Sequence, residues 1–480
     1  MLTYPENGGI LYLGILFYEI VYRSDIMSKP KKNSGAKSAR IRTLVILLLI
    51  TGALSAYVVN GYLKNRPVEP ADGKTSDNSV KREKKAEKSD KGEEDEPTDE
   101  KEPETETEKQ SDENSSSAEN TAKDTELVEN DVKEDEITKM MAEMSLHEKI
   151  CQLFVVTPES LTGYDLVTQS GGATLDALKE YPVGGLIYFA QNLEDVDQTK
   201  TMLASTAESN SKVSDIPLFF AVDEEGGIVA RCAEKLGTTE FKPMYNYRDK
   251  GADTAYKNAY TIASDIAELG FNLDFAPVAD TWSNPDNTVI GTRAYSDDFE
   301  QTAELVASAV KGFKDGGVVC SLKHFPGHGD TAEDSHVGMA SSYKTLDELE
   351  NAEYLAFESG IAAGADMVMV GHITMANVDN QPASLSKTII TDELRGKLGF
   401  DGVIVTDALA MGALANYYSS DEISVAVLKA GGDLLLMPED LSSAVAGVEK
   451  AVKKGDLSEK RIDESLERVL RLKKDRGILK

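Results

Sequence analysis

The sequence predicts an α/β fold, a (β/α)8 barrel of the TIM type, over roughly its last 340 residues, and three observations carry that prediction. Eight short apolar runs bounded by turn residues recur from residue 138 onward. Amphipathic segments with helical spacing lie between them. The span is long enough for one such barrel with insertions. The runs are Leu153–Val156, Gly185–Phe189, Leu218–Val222, Leu273–Pro277, Val318–Leu322, Met367–Val370, Val403–Thr406 and Leu434–Met437. Each has the length and predominant apolarity of a strand buried on both faces in a parallel sheet, with Asp274 and Ser321 the polar interruptions inside a run. The intervening helices include Ala252–Leu269, Asp298–Asp315, Leu346–Ala363 and Ile423–Ala430. Two more, Ser442–Lys453 and Ser458–Lys474, follow the eighth run and leave no room for a further C-terminal domain.

Four regions follow from composition. Residues 1–42 form a basic N-terminal segment, with Lys29, Lys31, Lys32, Lys37, Arg40 and Arg42 just ahead of an apolar stretch. That stretch, 43–63, is expected to be a transmembrane helix with its N-terminus in the cytoplasm, because about 20 apolar residues span a bilayer and positive flanks stay inside. A cleaved signal peptide is the rival, but the run exceeds the usual signal core. Met27 opens a conventional basic leader, so translation is expected to begin there. Residues 64–137 are Glu, Asp, Lys, Ser and Thr with almost no large apolar side chains; they cannot offset their ordering entropy and read as a disordered acidic linker. Residues 138–480 are the barrel domain, placed outside the membrane by this topology.

Much of the acidity behind the formal net charge of −32 lies in the linker, where acidic residues outnumber basic ones roughly two to one, rather than on a binding face. A nucleic-acid partner is excluded, since no basic footprint is present. The three cysteines, Cys151, Cys232 and Cys320, are odd in number and far apart, unlike a disulfide framework.

Chemistry gathers at the ends of the runs. Asp223 follows the third, Asp280 the fourth, Lys323 and His324 the fifth, His372 the sixth and Asp407 the seventh. In barrels of this kind, catalytic groups collect at the C-terminal ends of the strands. Three of the five histidines, His324, His328 and His336, fall in the single stretch Lys323–His336, which also carries Asp330 and Asp334. A carboxylate ending an apolar strand, as Asp407 does, is partly desolvated and firmly aimed, which suits a nucleophile. Its bland alternative is to cap a helix starting at Ala408. Asp334 and His336 are spaced so that the carboxylate can accept one imidazole N–H and raise the basicity of the other nitrogen. Such a histidine can donate a proton to a leaving oxygen and then take one from water. Lys323, His324, Arg231 and Arg293 supply cationic donors for sugar hydroxyls or an acyl amide. A zinc site on the same loop is disfavoured, because the first strand runs into Thr157-Pro158-Glu159 without a histidine; no metal or other cofactor is expected.

These residues resemble glycoside hydrolase family 3, in its β-N-acetylglucosaminidase branch, from about Met144 to Arg476. The resemblance is carried by Met144–Leu153, Val222–Gly227 through Arg231, Asn272–Asp280, Val289–Tyr295, Lys323–His336 and Gly399–Leu409. It implies a retaining β-N-acetylhexosaminidase with Asp407 as nucleophile, His336 as general acid/base and Asp334 orienting it. By the same resemblance Asp223, Arg231, Arg293, Lys323, His324 and His372 bind a terminal N-acetylglucosamine. The expected partner is an N-acetylglucosamine-containing glycan or a muropeptide. Phosphorolysis at the same site, another β-glycosidase activity, or an inactive carbohydrate-binding surface protein remain the alternatives. The chain departs from the family pattern at Ala408, where a second acidic residue is common, and at Ile228, which replaces a frequent polar residue beside the Gly pair.

Overall fold

The computed structural model describes residues 135–331, 335 and 338–480. The expected membrane span 43–63 and nearly all of the linker lie outside these residues. Among the described residues no helix is long and apolar enough to cross a membrane.

Eight parallel strands form one sheet: β1 (Phe154–Val156), β2 (Gly185–Ile187), β3 (Phe219–Val222), β4 (Leu273–Asp274), β5 (Val319–Phe325), β6 (Met367–Val370), β7 (Val403–Thr406) and β8 (Leu435–Leu436). Each pairs with its neighbour in sequence, and β1 pairs with β8 through Phe154↔Leu435. A parallel bridge between Val405 and Leu434 joins β7 to β8, so the sheet closes on itself. Closure removes both sheet edges, and all eight strands are buried along their whole length. Helices such as Ala252–Leu269, Phe299–Asp315 and Glu459–Asp475 pack around the outside through one apolar stripe each.

The differences from the sequence reading have local causes. The ordered domain begins earlier than residue 138, since a helix starts at Glu136 and buries Ile137. β4 stops at Asp274 rather than Pro277, because proline brings no N–H to the ladder, although Lys323 N–H still donates to the Pro277 carbonyl. β2 ends at Ile187, where the Phe189 N–H turns to the side chain of Asn192. The single helix expected over 346–363 is two, Leu346–Glu350 and Tyr354–Ala362, with Glu353 between them turned inward to Lys344.

The most consequential difference is β5. It continues three residues past Leu322 because Phe325 pairs with Val370 of β6. The Phe325 ring also stacks on Tyr354 at 5.2 Å and meets Phe357 edge-on at 5.1 Å. Lys323 and His324 therefore sit on the strand, not on the loop beyond it.

Candidate active site

The C-terminal ends of the strands enclose a cavity of about 630 Å³. Its wall includes Asp223, Glu225, Arg231, Arg293, Lys323, His324 and Asp407 from the loops and strand ends, with Phe189, Ile228 and Met411 among its apolar members.

An ion cluster forms the floor. Glu225 lies between two cations: Arg293 grips both its oxygens at 2.8 Å, and Lys323 Nζ lies 2.7 Å from Oε1. The same Lys323 amine reaches Asp223 at 2.9 Å. Burial works to raise the pKa of Glu225, but the charges of Arg293 and Lys323 override it and hold the carboxyl well below its usual range. Burial likewise pulls Lys323 down, yet Asp223 and Glu225 leave it above an ordinary lysine. Each charge is thus kept in a site that would otherwise neutralise it.

A second cluster orients the histidines. Asp280, wholly buried, accepts from His324 Nδ1 at 2.7 Å and from the backbone N–H of His328 at 2.6 Å. With Nδ1 engaged, Nε2 of His324 is left for the cavity. His328 is not in the lining. Its Nδ1 pairs with Thr331 Oγ1 at 2.7 Å and its Nε2 with Ser335 Oγ at 2.9 Å. The Ser335 carbonyl in turn accepts from Ala413 N–H at 3.3 Å. Gly329 is required here, since a Cβ on it would fall 1.7 Å from the Thr281 carbonyl oxygen. Ser335 is thereby tied to the barrel by two bonds, one through its hydroxyl and one through its backbone.

Asp407 ends β7. Its N–H donates to the Val370 carbonyl at 2.9 Å, and its Oδ1 accepts from Ala408 N–H at 2.7 Å. The next helix starts only at Gly412, so Asp407 is not a helix cap. Burial would raise its pKa, but the nearby imidazoles of His324 and His372, the Ala408 N–H and Lys323 bring it below the ordinary aspartate value. It is an ionised, half-buried carboxylate on the cavity wall.

The structure brings Asp223, Arg231, Arg293, Lys323, His324 and Asp407 together on one cavity. Arg231 is the loosest of these, 3.9 Å from Asp223 and lying against the Phe189 ring. His372 is one layer behind rather than in the lining: its ring bonds to Ser384 Oγ at 2.8 Å and to the Ala408 carbonyl at 3.0 Å. Asp334 and His336 lie outside the described residues. Sequence reading missed Glu225. The signal was present, since Glu225 shares the two-residue alternation of Asp223 and so faces the same side of an extended chain.

The family profile described as "Glycosyl hydrolase family 3 N terminal domain" matches residues 145–472. The chain belongs to glycosyl hydrolase family 3. A relative, beta-hexosaminidase A of Pseudoalteromonas piscicida, is 33% identical over 325 residues, which are 62% of this chain and 54% of that protein. The beta-hexosaminidase of Xylella fastidiosa (strain 9a5c) is 37% identical over 285 residues, 57% of this chain and 83% of the relative. Among solved structures, a family 3 beta-N-acetylglucosaminidase from Paenibacillus sp. str. FPU-7 superposes with a TM-score of 0.66 at 36% identity, covering 70% of this chain and 63% of that one. The beta-N-acetylhexosaminidase from Beutenbergia cavernae DSM 12333 gives 0.62 at 29% identity, covering 70% and 99%. The chain thus spans about half the length of the Pseudoalteromonas relative and nearly all of the Beutenbergia one.

Proposed function

We propose that this chain is a retaining β-N-acetylhexosaminidase that removes terminal N-acetylglucosamine from glycans. The observation that carries the reading is Asp407: an ionised carboxylate at the end of β7, on the wall of a sugar-sized cavity whose floor is a row of paired charges. Asp407 attacks the anomeric carbon as the bond to the departing oxygen breaks, giving a covalent glycosyl-enzyme. The departing oxygen takes its proton from His336, oriented by Asp334, in the role that the family resemblance implies; Ser335, between them in sequence, is the anchored point of that segment. The same histidine then draws a proton from the water that releases the sugar. Asp223, Lys323, Arg293 and His324 hold the ring hydroxyls. Names of the relatives support the substrate, since several are beta-hexosaminidases or beta-N-acetylglucosaminidases.

Replacing Asp407 by Asn tests this. Release of 4-nitrophenol from its β-N-acetylglucosaminide is expected to fall at least about 10³-fold with the fold intact. Turnover close to wild type in Asp407→Asn would exclude the assignment.

The proposal extends to place. The apolar segment 43–63 and the acidic tether hold the barrel outside the membrane, where cell-wall muropeptides are the substrate at hand. A flexible chain of about seventy residues averages on the order of 50 Å end to end, and charge repulsion lengthens it. Purified muropeptides incubated with the full chain should yield free N-acetylglucosamine; no release would set the muropeptide reading aside.

A further inference from the structure

Beyond the sugar ring that is released, a glycosidase must also hold what leaves. The cavity changes character with depth. Lys323, Glu225 and Arg293 are buried at its floor, whereas Ile228 at its edge is 65% exposed. Among the described residues with large exposed apolar side chains, Ile228 is the one that lines this cavity. Scattered surface apolar residues are ordinary, so the question is whether this one is held in place for a purpose.

It is held. Ile228 sits at the turn of a short antiparallel hairpin, Glu224–Gly226 paired with Val229–Ala230. The buried Glu224 carboxylate accepts the backbone N–H groups of Arg231, Cys232 and Ala233, clasping the returning arm. At the turn, Gly227 has φ +67° and packs so tightly that a Cβ would lie 2.5 Å from Pro243; its N–H donates to the Phe241 carbonyl. The hairpin is therefore fixed on both sides of Ile228, and the side chain is presented outward on a rigid mount.

Resting on the proposed function, we infer that Ile228 is the aglycone-side wall of this site. The sugar ring whose glycosidic bond breaks occupies the charged floor beside Asp407, so the departing group points to the mouth, where Ile228 meets it. The partner that fits is a second β-linked pyranose, whose axial C–H groups give it an apolar face that polar surfaces bind poorly. Ile228 acts there as a specificity-determining residue rather than a catalytic one.

The test uses two donors that share the transferred N-acetylglucosaminyl ring. N-Acetylglucosaminyl fluoride has a single atom in place of the aglycone, and the β-1,4-linked N-acetylglucosamine disaccharide has a full ring. The ratio of kcat/KM for the disaccharide to that for the fluoride is expected to fall on the order of fivefold in Ile228→Ser, and to return to within about twofold of wild type in Ile228→Leu. An unchanged ratio in Ile228→Ser, or a Leu variant that falls as far as Ser, overturns the inference while leaving the glycosidase reading standing. A wild-type chain that turns over neither donor overturns both.

Discussion

Lys323 and Lys473 are both buried inside this barrel, at 3% and 0% exposure, and their surroundings are opposite. Lys323, at the C-terminal ends of the strands, touches Asp223 and Glu225 and keeps its charge. Lys473 comes up from the last helix to the other end of the barrel. Its amine donates to the Gly184 carbonyl at 2.8 Å and to Gln152 Oε1 at 3.3 Å, and lies 4.7 Å above the Phe219 ring. Burial pushes its pKa down to about 7. Lys323 has two carboxylates within reach, whereas Lys473 has none among the described residues to offset its burial.

The sharpest way to break this comparison is to make the same change at both ends. Lys323→Met strands Asp223 and Glu225 near one another, so kcat/KM on the aryl glycoside should fall at least about 100-fold, and stability by about 3 kcal/mol. Lys473→Met removes no carboxylate partner, and its kcat should stay within about twofold of wild type. Equal losses of activity at the two ends would show that the polarity of the barrel has no functional meaning.

The next effect is in pH. Between pH 7 and about 10 the unfolded chain carries a proton on the Lys473 amine that the folded chain lacks, so stability contributed by this site rises with pH across that window. Below pH 7 the contribution levels off. Urea unfolding of wild type and Lys473→Met at pH 7 and pH 9 should show the wild type gaining on the variant by about 1–2 kcal/mol. No change in the difference would place the amine's pKa near that of an exposed lysine.

The smallest expected effect concerns the anchor beside the active site. Ser335→Ala removes the hydroxyl that meets His328 but leaves the backbone bond to Ala413. One lost hydrogen bond of this kind is worth about 1 kcal/mol, so kcat should drop about fivefold while KM hardly moves. A KM effect without a kcat effect would mean that Ser335 holds the sugar rather than the segment around it.

Legibility in the sequence was uneven. All eight strands were readable, because a strand buried on both faces writes a mostly apolar run and the turns around it are rich in Gly and polar residues. Asp407 and the Lys323–His324 pair were readable for a related reason: a charged residue directly after such a run has only the strand's end to occupy. Glu225 was legible only as a residue alternating with Asp223; its purpose depends on Arg293, 68 residues away. The end of β5 was misjudged where a neighbouring strand, not the local pattern, decides how far pairing continues.

What the sequence by itself determined was the barrel and the set of polar residues waiting at its strand ends, since apolar periodicity and chain length are local properties. Only the tertiary structure decided which of those residues are partners: Glu225 with Arg293 and Lys323, and Asp280 with His324, 44 residues apart. The physical reason is closure. Ion pairing depends on which side chains the closed barrel brings within about 3 Å, and that distance is set by strand register around the whole ring rather than by any one segment of it.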